Sequence, residues 1–358
     1  MVRLESRGDV SRAWSLLSPV VAIVLTLISG VVIFSAMGKD PGLALYTYFV
    51  QPLTTAFGIT ELLVKATPLV LIGIGLSIGF RANVWNIGAE GQFTIGAIVG
   101  GGIAIAFHDS ESFLLLPVVL VAGVFGGMAW AAIPAFLKTR FNANEILTSL
   151  MLTYVAVLLL SYLVHGPWRD PDGYNFPESR LFPDAAMMPV LWEDSRLHLG
   201  AAFAVLAVVA GWVILSRAVI GFQLRVVGQA PAAAKHAGFS QNKLIWFALL
   251  LGGGLAGLAG VAEVAGTIGQ LLPSISPGYG FTAIIVAFLG RLHPVGVLLA
   301  GLIMALSYIG GEVAQIEIGL PAAVTGLFQG ILLFFLLGCD VLTHFRIRFG
   351  APGRTKGG

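Results

Sequence analysis

Ten long apolar stretches occupy most of this chain and limit the folds it can adopt. A helix needs about 20 apolar residues to cross roughly 30 Å of hydrocarbon. Stretches of about that length lie near 16–37, 60–80, 85–107, 114–137, 144–165, 198–216, 244–265, 279–290, 295–312 and 320–339. The eighth is short and follows Pro277-Gly278, so it suits a broken or re-entrant helix, and nine or eleven spans remain open. The sequence therefore predicts an all-α polytopic membrane protein with about ten transmembrane helices.

The composition agrees with a membrane protein and excludes several other classes. Hydrophobic residues make up 57% of the 358 residues and charged residues 11%, and the mean hydropathy is +0.91. A soluble domain carries about a quarter charged residues. A net charge of +2, with no basic run interleaved with aromatic residues, argues against a nucleic-acid partner. The single cysteine, Cys339, excludes an internal disulfide framework and a multi-thiolate metal site, and we expect no cofactor.

The distribution of positive charge predicts the orientation. If the N-terminus is cytoplasmic, only five of the 20 Lys and Arg residues fall outside, namely Lys39, Lys65, Arg169, Arg180 and Arg196. The opposite orientation would violate the positive-inside rule. We therefore expect a single transmembrane domain over residues 16–340 between cytoplasmic segments 1–15 and 341–358.

Two loops are long enough to do more than connect helices. The outer loop, residues 166–197, is acidic, aromatic and rich in turns, which is typical of a docking surface or of an interfacial aromatic belt. The inner loop, residues 216–243, contains an alanine-rich stretch between Gly228 and Gly238 that predicts a short helix outside the membrane. Its small-residue face could pack against a protein, and contact with anionic lipid is the alternative.

Glycine pairs at four-residue spacing indicate close helix packing within the spans. They are Gly96 and Gly100, Gly123 and Gly127, Gly253 and Gly257, and Gly326 and Gly330. Small residues at this interval let helix backbones approach one another. We therefore interpret them as packing residues.

Two glycine-interrupted segments, residues 83–102 and 273–290, occupy similar positions in the two halves of the chain. Broken apolar segments of this kind are typical of a transport site near the middle of the membrane. The first contains Glu90, and a carboxylate in hydrocarbon costs roughly 2.5–3.5 kcal/mol on insertion scales. Glu90 lies nine residues beyond Arg81, about 13 Å if the segment is helical. It is either part of a polar path or a structural acid bonded to backbone N–H groups, Asn86 or Gln92.

The same helical rise puts three other acids, Glu263, Glu312 and Glu317, near the outer surface, where water would solvate them. The sequence offers only weak evidence for an enzyme. Ser77 lies in a G-x-S-x-G pattern, but the pattern falls within a span and no histidine is placed by sequence to serve it. The sequence contains no P-loop and no zinc motif such as H-E-x-x-H. We expect neither an enzyme nor a metal site, and any ATPase must be a separate subunit.

Four ordered motifs resemble a known family. They are NVWNIGAEGQFTIGA at 83–97, GFQLRVVGQAPAAAKHAGFSQNK at 221–243, GGGLAGLAGVAEVAG at 252–266 and SPGYGFTAIIVAFLGRLHPVG at 276–296. Together they are similar to the binding-protein-dependent ABC permeases of the ribose and branched-chain amino acid type, and most similar to the nucleoside or simple-sugar branch. The resemblance extends from about residue 60 to residue 340.

The resemblance implies a subunit of the bacterial cytoplasmic (inner) membrane with defined partners. These are a homologous second permease, two cytoplasmic ABC ATPase subunits and an extracytoplasmic solute-binding protein, in addition to membrane lipid. The short alanine-rich helix would then be the coupling helix that contacts the ATPase. Its candidate residues are Arg225, Gly228, Ala233, Ala234 and Gly238.

The resemblance also implies a translocation path for a small polar solute, opened by alternating access. Its candidate residues are Asn83, Trp85, Asn86, Glu90, Gln92, Tyr279 and Phe281. Two other classes remain as alternatives. One is an ion-coupled secondary transporter in which Glu90 carries protons, and the other is an intramembrane hydrolase that uses Ser77.

Overall fold

The computed structural model describes residues 2–6 and 12–349, with side chains described from Leu17 to Cys339. Helices dominate these residues, as predicted. The first six are α1 (Arg12–Ala36), α2 (Pro41–Phe49), α3 (Ala56–Arg81), α4 (Ala89–Ala106), α5 (Leu115–Phe141) and α6 (Glu145–His165). The others are α7 (Gly200–Ser216), α8 (Val219–Gln229), α9 (Pro231–His236), α10 (Gln241–Glu263), α11 (Tyr279–Leu289), α12 (Pro294–Ile318) and α13 (Ala323–His344).

Two short strands lie near the chain ends. Strand β1 (Val2–Ser6) pairs antiparallel with β2 (Phe345–Phe349), with Val2 opposite Phe349. They fall within the predicted terminal segments 1–15 and 341–358. The remaining parts of those predictions at Met1, residues 7–11 and residues 350–358 lie outside the described residues.

The number of apolar helices agrees with the predicted count of about ten. In the described part of the chain, seven helices are long and apolar enough to cross a membrane. Helices α7 and α8, which meet at a bend of 69°, make an eighth candidate if they are counted as one span. Tyr279–Leu289 and Ala323–Cys339 are shorter apolar helices. The short length of α11 matches the prediction of a broken element after Gly278.

The described residues form two compact units. One comprises the described parts of residues 1–52 and 310–358, and the other comprises residues 53–309. The core of the first is aromatic: the Phe328 ring stacks on Phe34 at 5.4 Å and on Tyr48 at 5.2 Å between centroids. In the same unit, Lys39 Nζ donates to the carbonyl of Ile318 at 2.6 Å, which places a positive charge at the C-terminus of α12.

Glycine residues bring three helices of the second unit into backbone contact. A Cβ atom added at Gly96 of α4 would overlap the backbone of Gly257 in α10. One added at Gly127 of α5 would overlap the carbonyl of Gly253, and one at Gly257 would overlap that of Gly123. We call this contact of α4, α5 and α10 the glycine junction. It confirms the packing interpretation for three of the four predicted glycine pairs.

The fourth pair, Gly326 and Gly330 in α13, does not pack in this way. Both residues are exposed, and no heavy atom lies within 4 Å of a Cβ added at either position. Among the described residues of this chain, no neighbouring helix faces the pair, because equal spacing does not ensure such a contact.

Candidate functional site

The structure brings the two predicted broken segments together. Helix α4 begins at Ala89 and α11 at Tyr279, and the two helix starts touch: a Cβ added at Gly280 would overlap the backbone of Glu90. Helix α6 also approaches closely, because a Cβ at Gly88 would lie 2.6 Å from the Ser149 carbonyl oxygen. The glycines of the 83–102 segment therefore permit backbone contacts at the start of α4.

Glu90 caps the N-terminus of α11. Its Oε2 accepts a hydrogen bond from the backbone N–H of Gly280 at 2.6 Å, and the Ser276 hydroxyl is a second partner. Ser276 Oγ in turn accepts the N–H groups of Gly278 and Tyr279, both at 3.0 Å. These groups have no partner within the helix. Glu90 is 6% exposed, so the geometry favours the structural acid bonded to backbone N–H groups.

Asn86 and Gln92 bind each other. Asn86 Nδ2 donates to Gln92 Oε1 at 2.8 Å, and Gln92 Nε2 donates to Asn86 Oδ1 at 3.0 Å. Asn86 Oδ1 also accepts the N–H of Gly88 at 3.2 Å. Both side chains are buried, at 3% and 1% exposure. This reciprocal amide pair fixes the turn that leads into α4.

Asn83 ends helix α3. Its φ of +57° is left-handed, and its N–H and that of Val84 donate to the carbonyls of Phe80 and Gly79. This is the Schellman arrangement, in which asparagine can replace glycine. Asn83 Oδ1 also accepts the indole N–H of Trp85 at 2.9 Å.

Trp85 links this turn to the end of α11. Its ring lies 5.0 Å from that of Phe80 and 5.9 Å from that of Phe288, between centroids. Arg81 Nε donates to the carbonyl of Leu292 at 3.0 Å in the loop after α11. The two halves of the chain are therefore joined at both ends of α11.

The two aromatic candidates on α11 differ in exposure. Tyr279 is fully buried and packs edge-on against Phe93 and Tyr308, at centroid distances of 6.1 and 5.6 Å. Phe281 is 41% exposed. Of the seven predicted path residues, Asn86, Glu90, Gln92 and Tyr279 are buried, Trp85 is partly buried, and Asn83 and Phe281 are exposed.

Two expectations about acids were wrong. The segment between Arg81 and Glu90 is not helical, because α3 ends at Arg81 and α4 begins at Ala89, so the estimate of about 13 Å does not apply. Glu263 is 7% exposed and is not solvated. Glu312 and Glu317 are exposed, as expected.

The inner loop contains two helices, whereas the sequence predicted one. Helix α9 is the predicted alanine-rich helix. Helix α8 precedes it and buries Gly221, Leu224 and Val227, whose spacing of three residues was the signal that sequence reasoning missed. Arg225 is exposed, and its guanidinium lies 3.4 Å from the Leu215 carbonyl oxygen.

The two glycines that flank α9 serve different purposes. A Cβ at Gly228 would overlap the carbonyl of Arg81, so Gly228 allows α8 to contact the end of α3. Gly238 has a φ of +80°, and the N–H groups of Gly238 and Phe239 donate to Lys235 and Ala234 in a second Schellman arrangement. A larger residue at Gly228 would therefore separate α8 from α3, whereas one at Gly238 would strain the turn that ends α9.

The alanine face of α9 is only partly available. Ala233 is exposed, whereas Ala234 is 2% exposed. An open depression of about 430 Å³ adjoins the helix; its lining residues are Pro231, Ala234, Lys235, Phe239, Ser240, Gln241 and Asn242.

Two buried acids lie outside the predicted site. Glu61 of α3 is 5% exposed and forms a bidentate ion pair with Arg196 of the outer loop, with Arg196 Nε 2.9 Å from Glu61 Oε1. Glu145 is 7% exposed and pairs with Lys138 Nζ at 2.5 Å across the turn between α5 and α6. Sequence reasoning had no means to identify either partner.

Ser77 donates to the Gly73 carbonyl at 2.7 Å and is 1% exposed, which argues against a nucleophile.

Many helices long and apolar enough to cross a membrane, with α4 and α11 in contact at their N-termini, are the architecture of a multi-pass membrane protein. Residues 58–337 match the family described as "branched-chain amino acid transport system / permease component". Because this match covers well over half of the chain, the protein belongs to that family. It is a permease subunit of an ABC transporter and not an enzyme.

Three relatives are similar over nearly their whole length. The glucose ABC transporter permease protein TsgB13 of Haloferax volcanii is 39% identical, over 97% of this chain and 93% of its own. The guanosine ABC transporter permease protein NupP of Bacillus subtilis is 31% identical, over 95% and 97%. The nucleoside ABC transporter permease protein NupB of Lactococcus lactis is 27% identical, over 89% and 90%.

Proposed function

We propose that this chain is the permease subunit of an ATP-driven importer for a nucleoside or a simple sugar. The observation that carries the proposal is the similarity to TsgB13 and NupP over more than nine-tenths of each chain, since their names specify glucose and guanosine. Both solutes are small, polar and rich in hydroxyl groups. Residues 16–340 would act as one permease in the cytoplasmic membrane, with both termini in the cytoplasm.

The proposed complex contains a homologous second permease, two cytoplasmic ABC ATPases and an extracytoplasmic solute-binding protein. The family supports a need for ATPase and solute-binding partners. The sequence of this chain supports a separate ATPase as well, because it contains no P-loop. Solute selection would reside chiefly in the binding protein, so the permease need not bind solute tightly.

The proposed path lies beside the joined starts of α4 and α11. Its exposed candidates, Asn83 and Phe281, would face the path in this conformation. Asn86, Glu90, Gln92 and Tyr279 are buried, and Trp85 is partly buried. We propose that these five side chains position α4 and α11. They would contact solute only in other conformations of the transport cycle. A secondary transporter that uses Glu90 as a proton carrier is less favoured, because the carboxylate is engaged by backbone N–H and hydroxyl donors.

Helix α9 is the proposed coupling helix. Ala233 would contact the ATPase directly, since it is exposed, and the buried Ala234 would support the helix from below. Gly228 and Gly238 would hold α9 in position, and exposed Arg225 would add a positive charge to the contact. ATP-driven closure of the ATPases would then move this loop and alternate the access of the path.

The test is uptake by the assembled complex in proteoliposomes. We expect accumulation of a labelled nucleoside or sugar only when ATP, both ATPases and the binding protein are present. A competition panel of purine nucleosides, pyrimidine nucleosides and monosaccharides would then identify the solute class. Vesicles that contain this chain alone should not accumulate solute, and uphill uptake driven by a proton gradient in such vesicles would refute the proposal.

A further inference from the structure

A hairpin in the outer loop is anchored far more firmly than a simple connection requires. We call residues 190–198 the outer hairpin: Val190 and His198 form an antiparallel bridge, and the Leu191 N–H donates to the Leu197 carbonyl at 2.7 Å. The tip is a turn in which Asp194 has a φ of +59° and Ser195 Oγ donates to the Trp192 carbonyl at 2.8 Å. The conformation of the tip is therefore specified by its own hydrogen bonds.

The first anchor of the outer hairpin is the ion pair between Arg196 and Glu61. The guanidinium binds the carboxylate through two nitrogens, and this geometry fixes orientation as well as distance. The Glu61 side chain is 7% exposed, whereas the Arg196 side chain is 52% exposed. A buried carboxylate in helix α3 thus holds a surface loop 135 residues away in sequence.

The second anchor is His198 at the base of the hairpin. His198 is 2% exposed, and its Nδ1 accepts the Gly200 N–H at 3.2 Å. A Cβ added at Gly200 or Gly266 would lie about 2.6 Å from the ring, so the imidazole fits between two glycines. The N–H of Met188 also donates to the Ala265 carbonyl at 2.8 Å, which joins the hairpin base to the segment after α10.

The tip exposes apolar surface beside negative charge. Trp192 is 63% exposed, and Val190 and Leu191 are 54% and 51% exposed. Glu193 and Asp194 are exposed next to the indole. The one arginine of the hairpin, Arg196, is bound to Glu61, and His198 is buried at the base, so the tip itself presents two carboxylates.

This combination favours a protein partner over lipid. Elements that lie on a membrane surface carry Lys and Arg beside their aromatic residues, and this tip carries acids. An exposed tryptophan held by a rigid base is typical of the residues that dominate protein interfaces. Neighbouring charges then guide the partner and set its orientation.

We propose that the outer hairpin is a rigid docking element for the solute-binding protein, in which Trp192 enters an apolar depression and Glu193 and Asp194 face Lys or Arg residues at its rim. The Glu61–Arg196 pair is the positioning element, because it sets the hairpin without touching the partner. This inference rests on the proposed function, which supplies the binding protein and the outward orientation of the loop.

The experiment uses the assembled complex in nanodiscs and measures ATP hydrolysis while the binding protein is titrated. Trp192→Ala and the double variant Glu193→Lys/Asp194→Lys should each raise the half-maximal concentration of binding protein about tenfold, with the maximal rate unchanged. Added salt should weaken the wild-type interaction, and this dependence should be reversed in the lysine variant, because salt would screen the repulsion between the new lysines and the basic residues of the partner. Asp184→Lys and Tyr174→Ala, at exposed positions of the same loop outside the hairpin, are the matched controls and should behave as wild type.

The positioning role has its own readout. Glu61→Gln and Arg196→Gln should raise the half-maximal concentration equally, and the double variant should be no worse than either single variant, because all three break the same pair. If these variants fail to assemble, the tip variants at exposed positions still decide the proposal.

The outcomes separate this inference from the proposed function. If wild-type hydrolysis does not respond to the binding protein, both proposals are overturned. If wild type responds and the tip variants respond identically, only the docking element is overturned. Quenching of Trp192 fluorescence by brominated lipid, measured against Trp192→Phe, would assign the tip to the membrane and would also overturn it.

Discussion

Glu90 shows how a membrane protein can keep a carboxylate out of water. Glu90 lies where the start of α4 at Ala89 meets the start of α11 at Tyr279, and each helix start carries partial positive charge. The N–H of Gly280 and the hydroxyl of Ser276 supply the hydrogen bonds that water would otherwise provide. The acid thus joins two halves of the chain 190 residues apart.

Replacing Glu90 should weaken the contact between α4 and α11, and the loss of stability should depend on whether the new side chain can still accept a hydrogen bond from Gly280. Glu90→Ala leaves the Gly280 N–H without its acceptor, and we expect a loss of about 1–3 kcal/mol in stability. Glu90→Gln retains a carbonyl oxygen at the same place and should lose less. Thermal unfolding of the two variants in detergent, followed by size-exclusion chromatography, measures the difference.

Measurements of uptake distinguish a structural role of Glu90 from a role in the translocation path. If Glu90→Gln assembles normally and transports with unchanged rate and solute range, Glu90 is a structural acid only. Equal destabilisation by Glu90→Ala and Glu90→Gln would contradict the capping assignment.

At this scale the sequence identified the buried acid but not its partner. Insertion cost singles out Glu90, and the echo between residues 83–102 and 273–290 predicts that the two segments are related. The bond to Gly280 depends on how α11 packs, which local sequence does not encode. Glu61 gave no signal at all, because its arginine lies in a loop whose course is set by tertiary hydrogen bonds.

The helix contacts show that glycine spacing indicates where two helices could pack closely, but not whether a second helix lies there. Gly253 and Gly257 meet backbone atoms of α5, whereas Gly326 and Gly330 have the same spacing and meet nothing within 4 Å. Helix α8 illustrates the reverse error. With 11 residues it is too short to cross a membrane alone, so only its three-residue periodicity could have revealed it.

The glycine junction should not tolerate a methyl group. We expect Gly257→Ala to destabilise the protein by about 1–3 kcal/mol, because the new Cβ overlaps the Gly123 carbonyl and the helices must separate. Gly326→Ala is the matched control and should be neutral or slightly stabilising, since alanine favours a helix over glycine by about 1 kcal/mol. Melting temperatures of the two variants decide this, and a lower value for Gly326→Ala alone would reverse our assignment.

Helix α9 offers a clean test of coupling at one of its alanines. Ala233→Trp adds bulk at an exposed position, so we expect normal folding and a loss of ATP-driven uptake of about tenfold, equivalent to roughly 1.4 kcal/mol. Ala234→Trp would be ambiguous, because its site is buried. Uptake and co-purification of the ATPase are the measurements.

The control for α9 is Ala322→Trp, an exposed alanine before α13 that the charge distribution puts on the opposite side of the membrane. It should leave uptake unchanged. Normal uptake in Ala233→Trp would remove α9 from the ATPase contact.

For the whole molecule, length and hydropathy were enough to predict the class, because crossing a bilayer imposes a fixed length on each helix. The ten predicted stretches correspond to seven long helices, one bent pair and two shorter helices. The bend at residues 216–219 and the exact start of α4 at Ala89 could not be predicted, since both depend on contacts between helices.

The orientation can be tested with single cysteines, because the chain has only Cys339. In a Cys339→Ala background, a membrane-impermeant maleimide should label Glu193→Cys in right-side-out vesicles and Lys235→Cys in inverted vesicles. The Cys339→Ala protein alone should remain unlabelled. The reverse pattern would mean that the positive-inside rule fails for this chain.

The glycine junction also limits how this protein can move. At the contacts of Gly96, Gly123 and Gly127 with Gly253 and Gly257, backbone meets backbone, and no side chain lies between them that could change rotamer. For these three helices to slide past one another at the glycine junction, their backbones would have to separate. A change in their arrangement would be easier beyond the junction, where α5 ends at Asn142 and the continuation of α10 ends at Gly269, both with left-handed backbone angles.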